Sequence, residues 1–326
     1  MLIKPPSLKS KDRIALLAPA SRPAKPSALK RAEAVVSAMG FVPVAGAHAL
    51  DTHGAMAGTD QARLSDLATA LEDDSIAAIW FLTGGFGSLH LIPDLPYDTF
   101  AKKPKIVLGA DDTSHLLFAM HKQAHVVTFY GNNLDRIDSK AAVERMACFF
   151  SGRAYGAGSD DIGPDYSAPL FPSMQVKDKV VADFCYSPVA AVKEGRVLAG
   201  NLTALVSLFG TRFEPQLAET ILLLEDRNER NDILDRWFTT LYISNKLATV
   251  AALGLGHFEN CGTRKSANML SFEELVADRV SALNLPTCFN LPFGQSSDCA
   301  IVPLGLKASI DTGAGSLRYL ESAFAD

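Results

Sequence analysis

The sequence predicts a parallel α/β domain followed by a smaller C-terminal domain of mixed α and β. Three observations carry that expectation. Strand-like apolar runs alternate with helix-like segments through the first half, the signature of a parallel sheet covered on both faces. The pattern breaks between about 151 and 179, where Gly, Ser, Asp, Pro and Tyr dominate. Beyond the break, strands and helices return with more turns between them. The expected division is a first domain over 1–155, a linker over 156–179 and a second domain over 180–326.

The run Ile14–Ser21 is short, apolar and ends in small residues, as a buried parallel strand does. Residues 26–39 have apolar positions at helical spacing and stop at Gly40. Strands follow over 42–47, 76–82, 105–108 and 126–130, with helices over 60–72 and 113–123. In the second half 192–199 and 221–224 read as strands, and 202–209, 233–245 and 272–284 as helices. The tail reads as strands over 300–311 and 316–320, joined by the turn at Asp311.

Composition narrows the function. The chain has 326 residues, 48% of them hydrophobic and 21% charged, so extended disorder is excluded. Thirty-one basic residues stand against 36 acidic ones, a net charge of −5, and no Lys/Arg run supplies the basic face that a nucleic acid demands. Mean hydropathy is +0.12, yet no apolar stretch reaches the roughly 20 residues of a membrane span. The N-terminus lacks the basic and apolar regions of a signal peptide. Cys148, Cys185, Cys261, Cys288 and Cys299 form an odd set without a CxxC pair, which fits reduced thiols in a cytoplasmic protein. HExxH does not occur, so no metal and no cofactor is expected.

Ligands of an open parallel sheet sit at the carboxyl ends of its strands. Two such ends carry unusual sequence. Gly84-Gly85-Phe86-Gly87 lets backbone approach a ligand and aim N–H groups at an anion, although a tight strand-to-helix turn would use the same residues. In Gly109-Ala110-Asp111-Asp112-Thr113-Ser114-His115, small residues leave a strand and a helix starts at once, as in a nucleophile elbow. The elbow residue would be Asp111; one of the two Asp residues can simply cap the helix, which leaves the other to explain. In the second half Glu225-Asp226 follows an apolar strand, where a carboxylate is either a surface group or a catalyst.

Together these islands resemble the serine peptidase family of LD-carboxypeptidases and microcin C immunity peptidases. The resemblance spans nearly the whole chain and includes Ala18-Pro19-Ala20-Ser21, Ala57–Asp60 with Arg63 and Leu67, Gly84–Gly87, Lys105–Asp112, Gly200-Asn201-Leu202, Gly210-Thr211, Leu224–Asp226, Asp235-Arg236 and Pro303-Leu304-Gly305. It implies a glutamine-amidotransferase-like N-terminal domain, a cleft between two domains, a peptide-like or other small-molecule substrate, and a homodimer as one assembly. It also implies a catalytic Ser at the elbow, a Glu from the second domain and a His from a late loop. Glu225 matches the Glu. The elbow has Asp111 where the family has Ser, and Pro292-Phe293-Gly294 is followed by Gln295 where the family has His. Gln cannot take a proton near neutral pH, so ordinary Ser-His-Glu chemistry is not expected.

What remains is a candidate set: Asp111, Glu225 and Gln295 as catalytic groups, with Gly84, Gly85, Asp112 and Ser114 as oxyanion or substrate-binding groups. If Asp111 and Glu225 face each other, like charges raise one pKa and create an acid/base pair. An elbow Asp can instead attack carbon directly. A third option has Asp111, Asp112 and Glu225 holding a hard cation. Two hypotheses follow: a divergent enzyme acting on a small amide, peptide-like or lactam-like molecule, and a pseudoenzyme that binds a peptide or amino-acid conjugate without turnover. His257, alone among histidines in the second half, is a further candidate for the cleft.

Overall fold

The computed structural model describes residues 2–153, 191–262, 270–295, 299–313 and 316–325. The expected linker, 156–179, lies outside the described residues. The first half contains β1 (Arg13–Leu17), α1 (Ser27–Ala38), β2 (Val42–Ala45), α2 (Asp60–Glu72), β3 (Ile76–Phe81), α3 (Tyr97–Lys102), β4 (Ile106–Gly109), α4 (Ser114–Ala124), β5 (Phe129–Tyr130) and α5 (Lys140–Phe150). The second half contains β6 (Val192–Asn201), α6 (Leu202–Ser207), β7 (Thr220–Arg227), α7 (Asn231–Ile243), β8 (Ala252–Glu259), α8 (Phe272–Val280), β9 (Thr287–Cys288), β10 (Val302–Pro303), β11 (Lys307–Asp311) and β12 (Ser316–Tyr319).

Two six-stranded sheets result, in the orders β10-β5-β4-β3-β1-β2 and β12-β11-β6-β7-β8-β9. In the first, β2, β1, β3, β4 and β5 are parallel. In the second, β6 to β9 are parallel, while β11 and β12 run antiparallel. This is the two-domain α/β architecture that the sequence predicts, with a second sheet that has as many strands as the first.

The differences have local causes. β1 ends at Leu17 rather than 21, because past Pro19 the chain turns away and the Ser21 N–H donates to the Gly84 carbonyl at 3.1 Å. The expected strand over 300–311 is two strands. β10 pairs antiparallel with β5 in the first sheet, the chain crosses at Gly305 with φ +90°, and β11 joins β6 in the second. A side chain at Gly305 would meet the His121 ring at 2.1 Å, so only glycine permits the crossing. The sequence reading assigns no element to 140–150, where Ser139 Oγ accepts the Ala142 N–H at 3.1 Å and starts α5.

β3 is apolar on both faces because helices cover both. Its Trp80 is fully buried, packs against Phe150 of α5 with ring centroids 5.2 Å apart, and donates its indole N–H to the Asn132 carbonyl at 2.8 Å. Trp80→Ala should therefore lower the stability of the first domain by about 3–5 kcal/mol, read from urea unfolding of wild type and variant.

Candidate functional site

Four strand ends converge on one cleft: Gly109 of β4, Tyr130 of β5, Asn201 of β6 and Glu225 of β7. The loop after β3 closes it from above. Gly109 is required because any side chain there would meet Phe81 at 2.4 Å and Thr113 Oγ1 at 2.5 Å. Ala110 is braced by Asn133, whose side chain accepts its N–H at 3.1 Å and donates to its carbonyl at 3.2 Å. Asp111 then sits in the left-handed region, φ +61°, the strained turn of an elbow.

The Asp111 carboxylate folds back onto the glycine loop. The Gly85 N–H donates to Asp111 Oδ2 at 3.0 Å. Gly84 can carry no side chain, because Asp111 would lie 2.5 Å from it. Gly85 has φ +99°, and a side chain there would strike Ser21 Oγ at 2.3 Å. The loop is fixed from below by the buried Arg63 guanidinium, which donates to the Pro19 carbonyl and, at 2.8 Å, to the Gly87 carbonyl. The glycines thus shape a pocket for an anion, and the chain's own carboxylate fills it.

Glu225 is completely buried. Tyr130 donates its hydroxyl proton to Glu225 Oε1 at 2.5 Å, Asn201 Nδ2 donates to the same oxygen at 3.3 Å, and Gln295 Nε2 donates to Oε2 at 3.1 Å. The Asp111 N–H reaches the Tyr130 hydroxyl at 3.4 Å, so Tyr130 stands between the two carboxylates. Asp226 accepts from Asn201 Nδ2 at 2.9 Å and from the N–H and hydroxyl of Thr203 at 3.0 and 2.8 Å, which pins the start of α6 beside the site. Above lies a cavity of about 360 Å³ lined by Gly85, Asp111, Asp112, His115, Asp226 and Arg227 among others.

Two family models match the chain: the LD-carboxypeptidase N-terminal domain over residues 14–131 and the LD-carboxypeptidase C-terminal domain over residues 194–310. The chain belongs to the LD-carboxypeptidase family. It is 29% identical over 317 residues to the probable murein peptide carboxypeptidase of Bacillus subtilis, covering 95% of this chain and 92% of that protein. It is likewise 29% identical over 306 residues to the murein tetrapeptide carboxypeptidase of Pseudomonas aeruginosa, covering 92% and 93%. In fold it is similar to the microcin C7 self-immunity protein MccF, with TM-score 0.81 at 22% identity over 99% of this chain and 100% of that one; the Escherichia coli protein of that name is 25% identical over 290 residues, 83% of this chain and 82% of that one.

The seven candidate residues take four kinds of position in this LD-carboxypeptidase family member. Gly85, Asp111 and Asp112 line the cavity. Glu225 and Gln295 touch each other behind its wall. Gly84 gives room to Asp111, as described above. Ser114, expected among the substrate-binding groups, is buried with its Oγ accepting the Asn201 N–H at 3.1 Å; it faces the domain interface, because the helix start turns it away from the cavity. Asp112 Oδ2 accepts the Ser88 N–H at 2.8 Å. His257 lies inside β8 next to Gly294, with Nδ1 3.7 Å from Cys299 Sγ, and does not line the cavity. No group of three or more His, Cys, Asp or Glu among the described residues could hold a metal ion, so the cation reading of Asp111, Asp112 and Glu225 gains no support. Sequence reasoning gave no role to Tyr130 or Asn201; the carboxyl-end rule for parallel strands would have found both.

Burial pushes the Glu225 carboxyl up to about 8, and the neighbouring Asp226 and Asp111 charges add to the rise. Burial likewise raises Asp226 to about 6 and raises Asp111, the latter against the N–H groups of Gly85 and Asp112 and the charge of Arg227. His115 is lowered by burial; its Nε2 lies 2.8 Å from Ser207 Oγ of α6. At neutral pH Glu225 therefore keeps its proton.

The folded chain holds the Glu225 proton more tightly than the unfolded chain, whose Glu titrates near 4.5. The contribution to stability is full below about pH 4.5 and is lost as the pH rises to about 8. In Glu225→Gln, urea midpoints measured across that window should decline less steeply than in wild type. Parallel slopes would mean that Glu225 titrates normally.

Proposed function

We propose that the protein binds a small peptide-like molecule in this cleft and does not cleave it by serine-type chemistry. One observation carries the reading: the Gly85 N–H donates to Asp111 Oδ2 at 3.0 Å. Acyl transfer needs backbone donors free to receive the oxygen on which negative charge develops. Here a carboxylate of the protein itself takes that donor, and Gln295 supplies no base to activate a hydroxyl or water. The likeness to murein peptide carboxypeptidases supports a peptide-like ligand, and a solved MccF complex holds aspartyl sulfamoyl adenosine.

A murein tetrapeptide and aspartyl sulfamoyl adenosine are the probes, offered to the full chain and followed by calorimetry and by mass spectrometry of the ligand. Binding of at least one without release of its terminal residue is expected. Release at a rate comparable with that of the serine-dependent relatives, or binding of neither probe, overturns the reading.

A second reading, a carboxylate-pair enzyme acting on a small amide or lactam-like molecule, is favoured by the protonated Glu225 beside Asp111. It requires slow turnover with a bell-shaped pH profile that collapses in Glu225→Gln, because an amide has no acidic proton to give. His257→Gln should leave that profile in place.

Serine-type cleavage should return only in Asp111→Ser combined with Gln295→His, since nucleophile and base act as a unit. Each single variant should stay inactive toward the tetrapeptide in the same assay.

A further inference from the structure

A second cavity, larger than the one above the cleft, lies away from it at the opposite end of the second sheet. It has a volume of about 690 Å³, within the range of small-molecule sites. It is lined by the amino-terminal ends of β6 and β7, the residues leading into β8, the crossing at Gly305 and the last turn of α4. Asp111, Asn201 and Glu225 occupy the other ends of the same elements, and α4 alone separates the two by about 16 Å.

Its floor is backbone. A side chain at Gly195 would meet the Glu219 carbonyl at 2.7 Å, and one at Gly305 would meet the His121 ring. The walls include Leu198, Ala251, Ala308 and Leu320, and Leu320 is 48% exposed at the rim. Among its polar groups Lys122, Arg196 and Lys307 stand against Glu194 and Glu219. Arg196 and Lys307 are directly opposite in the β6–β11 ladder, a like-charge pair that costs energy unless an anion lies between or beside them. Glu321 offers only partial compensation, since its carboxylate is also held by Lys4 at 2.9 Å and by the Lys307 N–H at 2.8 Å. The Arg196 guanidinium spends one donor on the Gly305 carbonyl, at 2.6 Å, and its fork has further N–H groups to offer. His121 donates Nδ1–H to the Val126 carbonyl at 3.0 Å, which leaves Nε2 as an acceptor.

We propose that this cavity is a second binding site, for a small organic molecule bearing one carboxylate on an apolar body. The carboxylate lies between Arg196 and Lys307 and the body lies against Leu198, Ala251 and Leu320. Arg196 and Lys307, already partly answered by Glu321, suit a single carboxylate rather than a phosphate dianion. The proposal stands independently of any reading of the Asp111 cleft.

Hexanoate, hexylamine and inorganic phosphate, titrated separately into the full chain by calorimetry, test it. Hexanoate should bind and hexylamine and phosphate should bind at least about tenfold more weakly. Arg196→Ala should weaken hexanoate about tenfold or more, and Lys307→Ala should weaken it less. Arg196 also supports the crossing at Gly305, so a second variant guards against misfolding. Leu320→Asp changes only the rim, and the added negative charge should weaken hexanoate and not hexylamine. No hexanoate binding, equal binding of the amine or phosphate, or hexanoate binding untouched by Leu320→Asp each overturns the proposal.

Discussion

The structure around the cleft depends on one left-handed residue. Asp111 at φ +61° is a conformation that a side chain tolerates only when its surroundings over-determine it. Three constraints do so here. Gly109 has no room for a side chain, Asn133 clamps both sides of Ala110, and the Gly85 N–H anchors the carboxylate. The glycine loop in turn keeps its shape because Arg63, buried beneath it, donates to carbonyls on both sides. Loosening any of these would move the carboxylate, and with it the charge that Glu225 feels through Tyr130.

A cluster of buried carboxyls is costly, and the chain offsets that cost in two ways. Asp226 accepts four hydrogen bonds, from Asn201, from the N–H and hydroxyl of Thr203 and from the Arg227 N–H, so its charge is dispersed over donors. Glu225 has neutral donors on both oxygens and, among the described residues, no ion-pair partner, and it is this group whose carboxyl is pushed to about 8. Keeping a proton there is cheaper than burying a second charge next to Asp226. Gln295 fits this arrangement: an amide can donate to Glu225 at any pH, whereas a histidine would exchange protons with it.

Much of this was legible in the sequence. Alternating apolar runs and helical segments revealed the parallel sheet of the first half and the mixed second half, and α2 spans the expected 60–72. The elbow and the glycine loop were legible because small residues after a buried strand have few other uses. The division of 300–311 into two strands was not, since apolar residues run on from β10 through Leu304 and Leu306 to β11 and the mark of the switch is Gly305. Tyr130 and Asn201 were passed over for a different reason: their strand-end positions were legible, but their roles show only in three dimensions, where both donate to Glu225. Ser114 was misplaced because one residue of helix rotates a side chain by about 100°, enough to turn a hydroxyl from a cavity to an interface.

The crossing at Gly305 also constrains how the chain is built. β5, in the first half, finds its outer neighbour in β10, which lies more than half the chain away. Until Val302 and Pro303 have emerged from the ribosome, the first sheet exposes an open edge at Phe129 and Tyr130, beside the cleft itself. That edge is only two residues long, which limits the hydrogen-bonding groups it can offer to a stray strand during synthesis. The cleft is thus among the last regions to be completed, even though the elbow that defines it belongs to the part made first.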